Sequence, residues 1–294
     1  MDFNKLNSVF IVAELSANHN GSFDTAIETI KAAKRAGADA IKLQTYTADT
    51  MTLDSKTDDF LLKQGTIWEG KYLHDLYKEA YTPWEWHKQL FEVAKKEGLI
   101  CFSSPFDLTA VDFLESLENP IYKIASFEIS DIPLIKYVAS KGKPIIISTG
   151  IASKEDIELA IATCKNEGNN QIALLKCTSS YPAPLSEANL TMIKDFANKF
   201  NVIPGLSDHT LGLTAPIVAV TQGAKIIEKH FILDKSIGGP DASFSIDQKE
   251  FTQMVKAVRE AELAIGKVDY KLTSKQLEGK NYCRSLYVSK DVKK

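Results

Sequence analysis

Short apolar runs alternate with longer amphipathic segments along most of this 294-residue chain. Such runs are typical of buried parallel strands, and amphipathic segments of about 10–15 residues are typical of the helices that connect them. We count eight of each. The predicted strands lie at residues 9–13, 40–43, 100–103, 121–124, 144–147, 172–175, 202–206 and 225–228.

Eight strand–helix units predict an α/β fold of the (β/α)8 TIM-barrel type, with residues 1–267 as the barrel. A doubly wound open sheet is the competing fold, but no GxGxxG motif follows a predicted strand. Residues 45–82 are predicted to form a long irregular insertion after the second strand. Residues 268–294 are polar and basic, and we expect a linker there.

Charge and cysteine content limit the classes of partner. A net charge of −3 gives no indication of a nucleic-acid or membrane-surface partner. The four cysteines are irregularly spaced without a CxxC pair, which indicates neither a zinc site nor a disulfide framework. Free thiols are typical of a reducing cytoplasm, and neither a signal peptide nor an apolar run of about 20 residues is visible. We therefore expect a cytoplasmic protein.

Polar side chains follow every predicted strand. In a barrel, catalytic groups lie at the carboxyl ends of the strands and in the loops after them. Lys42 and Lys123 lie within strands, where an ammonium is costly to bury unless an anion pairs with it. We favour an anion-binding site for both over the alternative of a structural ion pair. Hydroxyl groups at the other strand ends would add donors to that site.

Two histidines come from strands that are neighbours in a barrel. His209 and His230 follow the seventh and eighth predicted strands. Adjacent imidazoles favour a divalent metal site over the alternative of satisfied core histidines. Glu14, at the end of the first strand, and Asp241, in a late loop, would complete the metal shell or act on the substrate.

The remaining candidates have less specific interpretations. His74 and His87 are expected at the surface, and His19 is either a ligand contact or a capping partner. Cys177 has no histidine near it in sequence, and thiol catalysis needs a base. Lys176 is a candidate for Schiff-base chemistry, so a lysine-dependent aldolase stays open as an alternative function. A non-catalytic sugar- or phosphate-binding barrel is a second alternative.

Eight ordered sequence blocks cover the predicted strand ends. They are AELSANHNGS (13–22), GADAIKLQTYT (37–47), FSSPFD (102–107), YKIASFE (122–128), PIIISTG (144–150), LLKCTSSYP (174–182), GLSDHT (205–210) and IIEKHF (226–231). Together they resemble the N-acetylneuraminate (sialic acid) synthase family over nearly all of residues 8–292. AELSANHNG and the segment at 68–87 are most similar to its pseudaminic acid branch, and the neuraminate and legionaminate branches are the alternatives.

The resemblance implies a synthase that condenses phosphoenolpyruvate with an amino-sugar aldehyde, which is a 2,4-diacetamido-2,4,6-trideoxyhexose in the pseudaminic branch. Carbon 3 of phosphoenolpyruvate would attack the aldehyde, water would add to carbon 2, and phosphate would leave by C–O cleavage. Mn²⁺ or Mg²⁺, held by His209 and His230, would polarise the aldehyde. A homodimer is implied for the full-length form, with a small antifreeze-like domain after the linker and beyond Lys294.

The resemblance also implies site residues position by position. Substrate binding is implied for Lys42, Ser104, Lys123, Ser126, Ser148, Ser179, Tyr181 and Ser207, and we add Gln44 because it shares a strand face with Lys42. Glu14, Glu128 and Asp241 are implied as catalytic carboxylates that carry protons. Ser179 stands where neuraminate synthases have asparagine, and Lys176 where they have histidine. The insertion would cover the site as a lid, with Tyr46, Trp68 and Tyr72 either touching the sugar or packing the lid.

Overall fold

The computed structural model describes residues 2–63 and 67–294. Residue 1 lies outside the described part, and so do residues 64–66 of the predicted insertion. Within the described residues, eight parallel strands close into a barrel in chain order, which confirms the (β/α)8 prediction and excludes the open sheet. The strands are β1 Phe10–Glu14, β2 Ala40–Thr45, β3 Ile100–Pro105, β4 Tyr122–Ile124, β5 Ile145–Ser148, β6 Ile172–Cys177, β7 Ile203–Asp208 and β8 Ile226–His230.

The helices agree with the predicted set and add three. They are α1 Phe23–Arg35, α2 Ala48–Met51, α3 Leu73–Ala80, α4 Trp84–Lys96, α5 Leu108–Ser116, α6 Ile132–Ser140, α7 Lys154–Asn166, α8 Met192–Phe200, α9 Thr214–Thr221, α10 Gln248–Ile265 and α11 Ser274–Lys280. The insertion is therefore more ordered than predicted, because it contains α2 and α3. A capping box at Thr47 begins α2, and another at Thr273 begins α11 in the predicted linker.

Side-chain alternation along the strands decides what faces the barrel interior. On β8, Ile226 belongs to the apolar cluster inside the barrel, whereas Ile227 packs in the layer between strands and helices. Successive side chains of a strand point to opposite faces. Glu228 and His230 therefore share the inner face with Ile226, and Lys229 shares the outer face with Ile227.

One glycine sets the spacing of the last two strands. A Cβ atom at Gly205 on β7 would lie 2.6 Å from the carbonyl oxygen of Ile226 on β8. A side chain there would push β7 away from β8, so only glycine permits this approach. The ends of these two strands carry His209 and His230.

The chain divides into two compact units, Met1–Ala264 and Ile265–Lys294. The first contains the whole barrel, and the second contains α11. Among the helices of the described residues, none combines the length and the apolar content needed to cross a membrane.

Candidate active site

A cavity of about 430 Å³ opens at the carboxyl ends of the strands. It is lined by twelve of the fourteen predicted site residues: Glu14, Lys42, Gln44, Lys123, Ser126, Glu128, Ser148, Tyr181, Ser207, His209, His230 and Asp241. The other two, Ser104 and Ser179, are not among the described lining residues. Their hydroxyls are buried, and neither has a hydrogen-bond partner in the described part of the chain. Tertiary structure therefore gathers most of the predicted site in one place.

A network of two lysines and two glutamates forms the floor of the cavity. Lys42 is ion-paired with Glu14, and its Nζ lies 3.0 Å from Oε1 of Glu228. Lys123 donates from Nζ to the same Glu228 oxygen at 2.7 Å. All four side chains are at most 5% exposed. The two interpretations of the lysines are thus compatible, because internal ion pairs hold the ammonium groups at a position where a substrate anion could reach them.

Glu228 is a central member of this network that the sequence argument did not single out. Its Oε1 accepts from both lysines and from Oγ of Ser207 at 3.0 Å. Its Oε2 is buried with no partner among the residues described. Burial opposes ionisation, yet Lys123 and Lys42 outweigh it and hold the pKa of Glu228 far below its ordinary range. The available signal was a glutamate inside an apolar strand, which carries the same cost as the two buried lysines.

The two lysines differ in how firmly they hold their charge. Burial by itself would lower the pKa of both ammonium groups. For Lys42, Glu14 and Glu228 outweigh burial, and the pKa is raised. For Lys123 burial prevails over Glu228, and the pKa is lowered. An additional anion near Lys123 would therefore favour its charged form.

The three predicted catalytic carboxyls retain protons more readily than exposed ones. Burial is the largest cause in each case: it raises the pKa of Glu128 to about 7 and also raises the pKa values of Glu14 and Asp241. Oε2 of Glu128 is buried, and no described residue is hydrogen-bonded to it. Ser16 donates from Oγ to Oδ2 of Asp241 at 2.5 Å. A carboxyl group with a pKa near neutrality can both accept and return a proton.

The two strand-end histidines face each other, with ring centroids 5.2 Å apart. Nδ1 of His209 donates to the carbonyl oxygen of Thr178 at 3.0 Å, so in the neutral ring Nε2 keeps its lone pair. Nδ1 of His230 is buried, lacks a partner within the described residues, and lies 3.9 Å from Oδ2 of Asp241. Burial, and then His209, lower the pKa of His230 well below its ordinary value, so this ring is neutral. Two imidazole nitrogens beside a carboxylate fit a divalent cation.

A second group of possible metal ligands lies in the insertion, where ligand atoms of Asp54, His74 and Asp75 come within 4.8 Å of one another. Nζ of Lys56 lies 2.6 Å from Asp75 and 3.5 Å from Asp54. Nε2 of His74 lies 2.9 Å from a carboxylate oxygen of Asp49. Because an ammonium already offsets these carboxylates, the group is better explained as an ion-pair cluster of exposed carboxylates around the buried His74.

The histidines outside the cavity have structural roles. The expectation that His74 and His87 lie at the surface was wrong, since both are buried. Nε2 of His87 contacts Oγ1 of Thr45 at 2.9 Å, and Nε2 of His19 contacts Oγ1 of Thr82 at 3.2 Å. Burial lowers the pKa of His19 and of His87 to about 4, so both rings are neutral. Thr45 and Thr82 bound the insertion, whose two ends are therefore tied to the barrel.

Alternation along β6 separates Lys176 from Cys177. Cys177 lines the cavity, whereas Lys176 points to the opposite face and donates to the carbonyl oxygen of Cys177 at 2.5 Å. This orientation disfavours the lysine-dependent aldolase. Sγ of Cys177 lies 3.7 Å from Nδ1 of His209. Burial raises the pKa of the Cys177 thiol, but His209, together with Ser126 and Lys123, outweighs this effect and brings the pKa to about 7.

The insertion forms an apolar wall on one side of the cavity. We define this wall by Met51, Leu62, Trp68, Leu73, Leu76, Tyr77 and Ala80, all of which line the cavity. Nε1 of Trp68 donates to the carbonyl oxygen of Pro240 at 2.9 Å, which ties the wall to the loop after β8. Of the other two aromatic residues expected in the lid, Tyr46 lines the cavity, whereas Tyr72 packs beneath Nζ of Lys56.

Residues 29–270 match the NeuB family. The chain is 50% identical over 293 residues to a pseudaminic acid synthase of Campylobacter jejuni, covering 100% of this chain and 85% of the relative. It is 38% identical to an N,N'-diacetyllegionaminic acid synthase of Legionella pneumophila, covering 91% and 76%. The solved structure of an N-acetylneuraminic acid synthetase from Leptospira borgpetersenii, in complex with citrate, aligns with a TM-score of 0.83 and 31% identity, covering 94% of this chain and 91% of that one.

Proposed function

Because this chain belongs to the NeuB family, we propose that it is a carbon–carbon bond-forming transferase that makes pseudaminic acid. Its substrates are phosphoenolpyruvate and a 2,4-diacetamido-2,4,6-trideoxyhexose, and its second product is phosphate. Identity of 50% to a pseudaminic acid synthase, against 38% to a legionaminic relative, supports this branch. The observation that carries the proposal is the cavity that joins two buried lysines, a histidine pair and an apolar wall.

Phosphoenolpyruvate binds at the floor of the cavity in this proposal. Lys42 and Lys123 supply charge-assisted hydrogen bonds to its phosphate and carboxylate. Ser126, Ser148 and Ser207 line the same region, and the buried Ser148 hydroxyl has no partner in the described structure, so it is available to the substrate. Fixing both anionic groups would also orient carbon 3 toward the aldehyde.

The histidine pair holds the aldehyde side of the reaction. When bound there, Mn²⁺ or Mg²⁺ would supply Lewis-acid polarisation of the aldehyde carbonyl. His209 and His230 hold the position, and the bond from Nδ1 of His209 to Thr178 fixes the orientation of that ring. Carbon 3 of phosphoenolpyruvate forms the new bond to the aldehyde carbon, and water adds to carbon 2. The bond between carbon 2 and the phosphate oxygen then breaks, and phosphate leaves. Glu128, Glu14 and Asp241 are the groups that accept and return protons.

The apolar wall supports the choice of a deoxy sugar. A methyl group and acetamido methyl groups gain free energy when they are buried against Leu73, Leu76 and Met51. A sugar that places a hydroxyl against the same wall would lose its hydrogen bonds to water without finding partners. The wall therefore favours a 6-deoxy, doubly N-acetylated sugar over N-acetylmannosamine.

A phosphate-release assay tests the proposal. Phosphoenolpyruvate is offered with the trideoxyhexose or with N-acetylmannosamine, each with added Mn²⁺, Mg²⁺ or a chelator. We expect at least about 10-fold preference for the trideoxyhexose, loss of turnover with chelator, and retention of a bridging ¹⁸O label in the released phosphate. Equal turnover of both sugars contradicts the pseudaminic assignment. A substrate adduct trapped by borohydride would instead favour the aldolase.

A further inference from the structure

Two charged residues are paired on the outer face of the strands that carry the histidine pair. Asp208 precedes His209, Lys229 precedes His230, and the β7–β8 register places Asp208 opposite Lys229. Nζ of Lys229 donates to Oδ2 of Asp208 at 2.5 Å. The two residues are 2% and 1% exposed. An ion pair removed from solvent to this degree lies directly behind the proposed metal ligands.

The same pair also forms hydrogen bonds to the backbone of Thr210, on the far side of His209 in the chain. Oδ1 of Asp208 accepts from the backbone N–H of Thr210 at 2.9 Å. Nζ of Lys229 donates to the carbonyl oxygen of Thr210 at 2.6 Å. Asp208, Thr210 and Lys229 therefore form a closed ring of three contacts around the residue between Asp208 and Thr210. Any slip of the β7 end against the β8 end would break at least one of these contacts.

Stability alone is a weak explanation for such a pair. Desolvation of two charges offsets most of their attraction, and apolar residues of similar volume often replace a buried ion pair without loss of stability. An apolar pair would not fix the relative position of the two strand ends in the same way. Hydrogen bonds to a carboxylate and a carbonyl constrain both distance and angle. Residues that orient metal ligands through such contacts usually matter for metal affinity.

We propose that Asp208 and Lys229 are positioning residues that hold His209 and His230 at the separation needed to share one metal ion. This inference rests on the metal site of the proposed function. Two further contacts agree with it: His209 is held from the other side by the bond from its Nδ1 to Thr178, and its carbonyl oxygen accepts from the N–H of Ala183 at 2.9 Å. The Asp208–Lys229 pair connects the end of β7, next to His209, to the end of β8, next to His230.

The experiment compares the full chain, Lys229→Met, the apolar double variant Asp208→Leu with Lys229→Met, and Val138→Ala as a control. Val138 is fully buried on α6, so its truncation destabilises the core without touching β7 or β8. Mn²⁺ dissociation constants are measured by calorimetry, Co²⁺ absorption spectra report ligand geometry, and unfolding temperatures report stability. The double variant avoids an unpaired buried charge, so it keeps the test valid if Lys229→Met fails to fold.

We expect the double variant to weaken Mn²⁺ binding by about 10- to 100-fold, the range for residues that orient metal ligands, and to change the Co²⁺ spectrum. Val138→Ala should lower the unfolding temperature and leave the Mn²⁺ dissociation constant within about twofold of the original. A folded double variant that binds Mn²⁺ as tightly as the unaltered chain overturns the positioning role alone. If the unaltered chain shows no saturable Mn²⁺ binding, the proposed metal site fails and this inference fails with it.

Discussion

The floor and the apolar wall of the same cavity are built in opposite ways. The floor collects ionisable side chains from separate strands: Glu14, Lys42, Lys123 and Glu228 come from β1, β2, β4 and β8. All the residues that define the wall come from one insertion between β2 and α4. Floor residues are conspicuous because a buried charge is costly and needs a reason. Wall residues resemble ordinary packing until the cavity beside them is known.

This difference suggests a division of labour. In the proposed function, the floor would bind phosphoenolpyruvate, which is common to every member of the proposed reaction class. In the same proposal, the wall would contact the part of the sugar that varies. Changes to the floor should therefore affect turnover or phosphoenolpyruvate, and changes to the wall should affect the sugar.

The largest expected effect is at the histidine pair. His209→Ala should reduce turnover by roughly 10³-fold or more, because carbonyl polarisation by a metal is worth several kcal/mol. The matched control is His74→Gln, which alters the ion-pair cluster in the insertion. Steady-state phosphate release and circular dichroism are measured on both variants. If His74→Gln abolishes turnover and His209→Ala does not, the metal site has been assigned to the wrong cluster.

The next effect is on the first substrate. Lys123→Met removes one charge-assisted contact, worth about 1.5–3 kcal/mol, and should raise the dissociation constant for phosphoenolpyruvate at least about 10-fold. Lys176→Met is the control, since Lys176 is also a buried strand lysine but faces away from the cavity. Calorimetric titration with phosphoenolpyruvate distinguishes them. Equal affinities in the two variants would remove Lys123 from the anion site.

A smaller effect is expected at the wall. Trp68→Ala deletes the bond to Pro240 and part of the apolar surface, so KM for the sugar should rise about 10-fold, equivalent to about 1.4 kcal/mol. KM for phosphoenolpyruvate should stay within about twofold because the lysines are untouched. Tyr72→Ala, in the same insertion but packed beneath Lys56, is the control. A rise in KM for phosphoenolpyruvate instead of the sugar would erase the distinction between wall and floor.

The smallest effect concerns Glu128 and depends on pH. Its folded pKa is about 7 against an ordinary 4.5, so the folded protein loses stability as pH rises from about 4.5 to 7. Glu128→Gln removes this loss and should raise the free energy of unfolding at pH 8 by about 1 kcal/mol. The pKa difference bounds the gain at about 3 kcal/mol, and partial solvent exposure reduces it. At pH 4 the two proteins should be equally stable by urea denaturation. A gain of the same size at both pH values would mean that Glu128 ionises normally.

The sequence by itself determined the barrel and much of the chemistry. Periodicity located eight strand–helix units because burial on both faces of a parallel strand leaves a local apolar run. Lys42, Lys123, His209 and His230 were identifiable because their chemistry is unusual at strand ends in an apolar context. The motifs then assigned the remaining cavity residues, although the roles of those residues are still predictions.

Tertiary structure alone decided which side chains meet. Alternation puts Cys177 and Lys176 on opposite faces of β6, but only the closed barrel decided that Cys177 faces the cavity and Lys176 faces away. Glu228 became the partner of both lysines only in the closed barrel. There β8 pairs with β1, and Glu228 on β8 reaches Lys123 on β4 across the barrel interior. His87 was expected at the surface and is buried instead, because α4 packs it against Thr45. Burial and partner choice depend on contacts between residues that are far apart in the chain, whereas periodicity records only neighbours.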